Sequence, residues 1–291
     1  MTFALIERNL KLYLRDRMGV FFSFLSVFMV LLLYALFLGD NTVENVQESI
    51  GRVVPGIEEL VNTWLLAGIV MISTVTVPIS ALAVFMEDKD NRIIDDFYTA
   101  PIKRSRLALS YLLSSVIIAS VMTMVNFFLG QGYMLLLGFD TLPLMAILKL
   151  LGLIVVSSFT FSSFFFLLTF LFNTARSFGS LGTIVGTLVG FFGGIYVPIG
   201  VLAPGVVWVM NFVPVAHAVT LFRHVYTSVT LPAVFDGAPS IILDDFRIFF
   251  GIDIQYGSYV MPMTLIFVVL IGYGLLFFLI STFLLNKQKR A

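Results

Sequence analysis

The sequence predicts an all-α integral membrane protein with six transmembrane helices. Three observations predict it. Of 291 residues, 59% are hydrophobic and 12% charged, with a mean hydropathy of +1.03. Soluble domains are nearer half apolar and a quarter charged, so lipid must be the solvent for much of this surface. The apolar residues also fall into charge-free runs long enough to cross about 30 Å of hydrocarbon, which takes roughly 20 residues. Finally, lysine and arginine concentrate in the gaps on one side of those runs.

Residues 1–18 form the first element. Phe3, Ile6, Leu10, Tyr13 and Leu14 recur at helical spacing, with Glu7, Arg8, Lys11 and Arg15 opposite them. A basic amphipathic helix of this kind lies in the membrane interface. It can serve as a lipid anchor or as a lever touching a cytoplasmic partner. The acids Glu7 and Asp16, the length of the following apolar run and the lack of a clean cleavage site argue against a secretory signal. The first apolar run is therefore expected to be a retained anchor.

The spans are expected at about 19–38, 61–86, 107–137, 150–172, 177–196 and 259–285. The charge-free stretch from Ser177 to Phe222 is too long for one crossing, and Pro198, Pro204 and Pro214 break its second half. One helix running to Tyr196 is expected there. A broken re-entrant hairpin over 197–224 follows it on the outer side, with His217 its central titratable group. Irregular backbone is tolerated at membrane depth only where protein or water covers it.

Basic residues orient the chain. With both termini in the cytoplasm, only Arg52, Lys149, Arg223 and Arg247 of the 17 lysines and arginines fall outside. The outer loops are acidic, a pattern that fits a solvated rim better than a cation site. No soluble domain, low-complexity segment or internal repeat stands out, so the chain reads as one transmembrane domain. The formal net charge of zero gives no reason to expect a nucleic-acid partner, and without cysteine neither a disulfide nor a thiolate metal site can form.

The substantial cytoplasmic loop is 87–106. Ile93, Ile94 and Phe97 make an apolar stripe, with Asp88, Lys89, Arg92, Asp95 and Asp96 around it, and Pro101 stops the helix. An apolar knob set in mixed charge suits docking on another protein, with a loop helix lying on the lipid headgroups as the alternative.

The order of these pieces resembles the ABC type-2 transporter permeases over nearly the whole chain. The resemblance rests on the amphipathic N-terminal helix, six spans and the loop from Glu87 to Ala100-Pro101-Ile102-Lys103-Arg104. It also rests on Gly193-Gly194-Ile195-Tyr196-Val197-Pro198 with Leu202-Ala203-Pro204 and Phe212-Val213-Pro214-Val215-Ala216-His217 behind it. Where that family often has a glycine shortly after the glutamate, this chain has Asn91 and Arg92. The resemblance implies two membrane subunits, identical or homologous, paired with two copies of a cytoplasmic ATPase that binds ATP and Mg. It implies that Glu87, Asp88, Arg92, Ile93, Ile94, Phe97 and Pro101 contact that ATPase. It further implies that the hairpin marked by Tyr196, Pro198, Pro204, Pro214 and His217 caps the outer end of the pathway.

No GxxxxGK[ST], HExxH or Gly-x-Ser-x-Gly occurs, so the chain offers no phosphate loop, zinc-protease pair or nucleophile elbow. His217 and His224, with no carboxylate beside them, read as structural rather than metal-binding. Catalytic and metal residues are thus expected to be none, and cofactors none on this chain. Gly182, Gly186, Gly190 and Gly194 recur every four residues and offer a flat face for close helix approach. The resemblance implies that a subunit seam pairs this face with the first span, whose Gly19, Ser23 and Ser26 are the small partners, with packing inside one chain as the alternative. The phenylalanines of the fourth span read as lipid contact and packing.

The expected function is that of a membrane permease subunit of an ATP-driven exporter in the cell membrane. The uncharged span walls suit a drug, lipid or small hydrophobic peptide as cargo. A stand-alone secondary transporter or channel is the alternative. The lack of ionisable groups well inside the spans counts against its proton-coupled form.

Overall fold

The structure is a computed structural model, and it describes residues 2–33, 43, 44, 47, 55–99, 102–194 and 197–287. Helix α1, Thr2–Arg15, meets α2, Arg17–Leu33, at Asp16. Asp16 Oδ1 accepts the Gly19 amide at 3.0 Å and so caps the start of α2. Next comes α3, Ile57–Asp90. A two-residue turn leads to α4, Ile93–Thr99. Helices α5, Arg104–Leu136, and α6, Leu144–Leu168, follow, and then α7, Ala175–Phe192.

Five described helices are long and apolar enough to cross a membrane: α3, α5, α6, α7 and α12, Met263–Lys287. Helix α2 is apolar as far as Leu33, and the rest of its expected span lies outside the described residues. The chain is thus an all-α multi-pass membrane protein. One departure is a small antiparallel pair, β1 Gln255–Tyr256 with β2 Tyr259–Val260.

Helix α3 is the axis of the bundle. In its most apolar stretch 67% of residues are buried, against 17% in α7 and in α12. Leu66, Val70, Met71, Val75 and Leu82 of α3 share a core with Phe127 of α5, Phe161 and Phe165 of α6, and Phe222 further along the chain. Apolar contact alone does not hold helices together in lipid, so side-chain hydrogen bonds between them matter. Asn126 Nδ2 donates to Ser73 Oγ at 3.0 Å, the Ser115 and Ser162 hydroxyls lie 3.0 Å apart, and Thr160 Oγ1 donates to Leu270 O at 3.1 Å. The phenylalanines of α6 pack largely inward: Phe166 meets Phe85, and Phe164 meets Phe277.

Past α7 the chain breaks as its prolines dictate. A 3-10 turn at Ile199–Val201 leads to α8, Pro204–Met210, and α9, Pro214–Tyr226. Each helix begins on proline, whose missing N–H costs nothing at a first turn. The two helices meet at 90°. Helix α9 is buried among α3, α6 and α12. Its 13 residues rise only about 20 Å, short of a bilayer's hydrocarbon. Helices α10, Thr230–Val234, and α11, Ser240–Phe249, complete this end. Leu231, Val234, Phe235, Phe250 and Ile252 pack with Ile57, Leu60, Trp64 and Ile69 of α3 into a core of their own, which the sequence reading did not foresee.

Boundaries move in several places, most at the fourth expected span, 150–172, whose helix is Leu144–Leu168 with Lys149 inside it. The second expected span, 61–86, is part of a helix reaching Asp90, so the first residues of the 87–106 loop are helical. The last span begins at Met263 rather than near 259, because Tyr259–Val260 are in the β pair. Helix α7 ends at Phe192, and Gly194 stands in a turn with φ +60°.

Candidate functional site

The last turn of α3 gathers the end of the bundle that carries α1 and α4. Four consecutive residues there point in different directions, as helical geometry requires. Glu87 is exposed. Asp88, only 4% exposed, receives two bonds from Arg8 of α1, at 2.7 and 2.9 Å. It also accepts the Tyr111 hydroxyl of α5 at 2.5 Å. Buried Asn9 extends the network, taking a bond from Arg8 at 3.1 Å and giving one to Ser114 Oγ at 3.3 Å. The Asp88 carboxylate raises the Arg8 guanidinium pKa above its usual value, mainly through their hydrogen bond. The clasp fixes α1 to α3 and α5.

Lys89 turns the other way and donates to Thr169 O at 3.3 Å and Phe172 O at 2.6 Å, just past the end of α6. Asp90 Oδ2 accepts the Ala175 amide at 3.1 Å, at the start of α7. A cation thus sits at a helix C-terminus and an anion at a helix N-terminus, each matching the backbone dipole it meets.

Asn91 and Arg92 then reverse the chain. Asn91 N donates to Glu87 O at 2.9 Å, and Arg92 adopts φ +60°, the one described non-glycine residue with positive φ. Glycine takes this backbone conformation without strain, whereas Arg92 takes it with a side chain attached. In α4, Ile94 is buried against the bundle core. Phe97 is half-buried and lies beneath Arg8, whose guanidinium carbon is 5.4 Å from the ring centre. Ile93 is half-buried beside a cleft of about 260 Å³ between α1 and α3. The expected apolar knob therefore faces largely into its own chain. The outward side of the segment is Glu87, Arg92, Asp95 and Asp96, all exposed. Asp88, expected among the docking charges, lies inside the clasp. Pro101 lies outside the described residues.

The expected glycine face divides. A Cβ at Gly182 would lie 2.9 Å from Ile79 Cγ2 of α3, so this glycine serves a contact within the chain. Gly190 is buried. A Cβ at Gly186 would meet nothing within 4 Å. Gly194 is not on the face at all: it closes the end of α7, and its carbonyl accepts Arg223 Nη2 at 2.8 Å. Ser23 donates to Gly19 O at 2.9 Å and lies 3.4 Å from the Tyr13 hydroxyl, while the side chain of Ser26 lies outside the described residues.

At the hairpin end, Pro198 precedes the 3-10 turn, Pro204 and Pro214 open α8 and α9, and Tyr196 lies outside the described residues. His217 is buried, its Nδ1 3.2 Å from Val213 O and its ring edge-on to Tyr273. Among the described residues no cluster of three His, Asp or Glu side chains could hold a metal ion. The residue missed from sequence is Arg223. It is fully buried, donates to Phe250 O at 3.0 Å as well as to Gly194 O, and lies 4.4 Å over the Trp64 ring. It joins the ends of α3, α7 and α11 through α9. Trp64, near the outer end of the second expected span, was the available signal, since an arginine beside a charge-free stretch needs a π face or carbonyls to be buried.

No curated protein matches the chain. The sequence pattern of the ABC-2 type transporter family matches residues 1–227, which takes in α1, the α3–α4 turn, the long helices through α7 and the bent pair α8 and α9. The chain belongs to the ABC-2 type transporter family, as a membrane-spanning transport subunit.

Proposed function

We propose that this chain is the permease subunit of an ATP-driven exporter whose ATP and Mg are bound by two copies of a separate cytoplasmic ATPase. A second permease subunit, identical or homologous, completes the pathway. The observation that carries the reading is the short helix α4. It hangs from the long α3 by a two-residue turn, is anchored through Ile94 and Phe97, and leaves Glu87, Arg92, Asp95 and Asp96 facing outward. An anchored helix with a charged outer side can pass a push from a docked protein into the bundle. The lysine and arginine bias puts this end in the cytoplasm and both termini with it, in the cell membrane. The hairpin of α8 and α9 then lies at the outer end as a re-entrant cap, because α9 is too short to cross. The apolar, uncharged helix faces suit an amphipathic or hydrophobic cargo such as a drug, lipid or small peptide.

The test is reconstitution with the candidate ATPase. The purified chain alone should hydrolyse no ATP, and the ATPase should co-purify with it. Reversing Asp95 and Asp96 to lysine should abolish that co-purification while the chain remains in the membrane. Retained association in the charge-reversed variant would move the docking face elsewhere. Turnover by the chain alone would end the reading.

A further inference from the structure

We infer that Lys89 and Asp90 are positioning residues that carry movement of α4 to α7, by gripping the turn between α6 and α7 from its two helix ends. The inference rests on the proposed docking of an ATPase at α4. Lys89 holds the Thr169 and Phe172 carbonyls, and Asp90 holds the Ala175 amide. Two adjacent residues of one helix can reach two other helices only because those helices end and begin within one short turn.

The turn in turn has a firm footing in α7. Phe172 packs edge-on against Phe178, which is buried, with ring centres 6.0 Å apart. Thr174 accepts the Ser177 amide at 3.3 Å. On its other side, the grip is separated from α4 only by Asn91 and Arg92, whose turn is closed by a 2.9 Å bond back to Glu87 O. A displacement of α4 is thus passed to the end of α3 with little slack.

Of the two helices that meet at this turn, α7 is the better able to respond. Its buried residues are Phe178, Val189 and Gly190 alone, while Thr183, Ile184, Thr187 and Leu188 face outward. Lys89 and Asp90 hold it at the end where it meets α3. Phe178 and Val189 tie α7 to the core around α3, and Gly182 stands against Ile79, so α7 follows the end of α3 through a few contacts on one face. By contrast α6, fixed by Phe161, Phe165 and Phe166, would have to break that core to move.

The test uses the whole complex and a chain that has no native cysteine. Ile184, 57% exposed, is replaced by cysteine, and its modification rate by a maleimide is measured without nucleotide and with Mg-ATP trapped by vanadate. The expected result is a rate change of at least about fivefold in the parent, the lower range of an allosteric coupling. That change should vanish in Lys89→Met/Asp90→Ala with ATPase association and hydrolysis retained. It should return in Lys89→Arg/Asp90→Asn, which keep a donor and an acceptor in place. A full nucleotide response in the double variant overturns the inference, as does loss of ATPase association in that variant. A parent complex that binds ATPase but shows no response at position 184 overturns it while leaving the proposed function standing. A parent that binds no ATPase overturns both.

Discussion

The clasp at Asp88 gives a magnitude that can be worked from geometry. Its carboxylate side chain is 5% exposed, while the Arg8 side chain is 30% exposed. Breaking a fully buried ion pair costs about 3–5 kcal/mol, because one charge is left without a partner. The two single variants should therefore differ. Arg8→Met strands a buried carboxylate that keeps only the Tyr111 hydroxyl, so the cost should approach about 3 kcal/mol. Asp88→Ala strands Arg8, which can turn to water, and leaves Tyr111 without its acceptor, for about 2 kcal/mol. Asp88→Asn keeps an acceptor and should cost less than either. Combining Arg8→Met with Asp88→Asn removes both charges and should be milder than Arg8→Met alone, a coupling of about 1–2 kcal/mol. The control is Lys11→Met, which breaks the exposed pair of Lys11 with Glu7 and should cost far less than Arg8→Met. Lys11 holds the Glu7 carboxyl below its ordinary pKa range mainly through a hydrogen bond, but both side chains are more than half exposed. Thermal unfolding of the purified chain in detergent reads the stability. Protease cutting at the α1–α2 junction reads release of α1. An Arg8→Met variant no less stable than Lys11→Met, with α1 equally protected, would refute the reasoning.

Three further predictions rest on backbone and packing. Gly182→Leu should destabilise the chain by about 1–3 kcal/mol by forcing Ile79 aside. Gly186→Leu should leave the unfolding of the single chain unharmed, because its side chain enters open space, yet should weaken pairing of two subunits if this face forms their seam. Cross-linking in lipid checks the pairing, and unchanged pairing in Gly186→Leu would place the seam elsewhere. Arg92→Gly should stabilise the α3–α4 turn by about 1 kcal/mol, since glycine takes a positive φ without strain. A lower unfolding temperature in that variant would show that the arginine side chain outweighs the backbone.

Much of the architecture was legible because lipid imposes few solutions. Charge-free runs located α3, α5, α6, α7 and α12, and three prolines located the break that became α8 and α9. Side-chain partners were less legible. Asp88 and Asp95 look alike in sequence, seven residues apart in one charged loop. One is inside a clasp and the other faces outward, because α3 continues as far as Asp90 and turns Asp88 toward Arg8 and Tyr111. A charge count cannot see that rotation.

The glycine series shows the same limit in another form. Spacing by four states which residues share a helix face, but it cannot state where the helix stops or what stands against the face. Helix α7 stops before Gly194, so the fourth glycine answers to a positive φ and to Arg223 instead of a neighbouring helix. Helix α3 stands against Gly182, so the first glycine is used within the chain. Of the series, Gly186 keeps both a place on the helix and open space beside it, and Gly179, two turns nearer the start of α7, shares that open side. A seam between subunits, if it uses this face, would be completed at these two positions by atoms that a single chain does not supply.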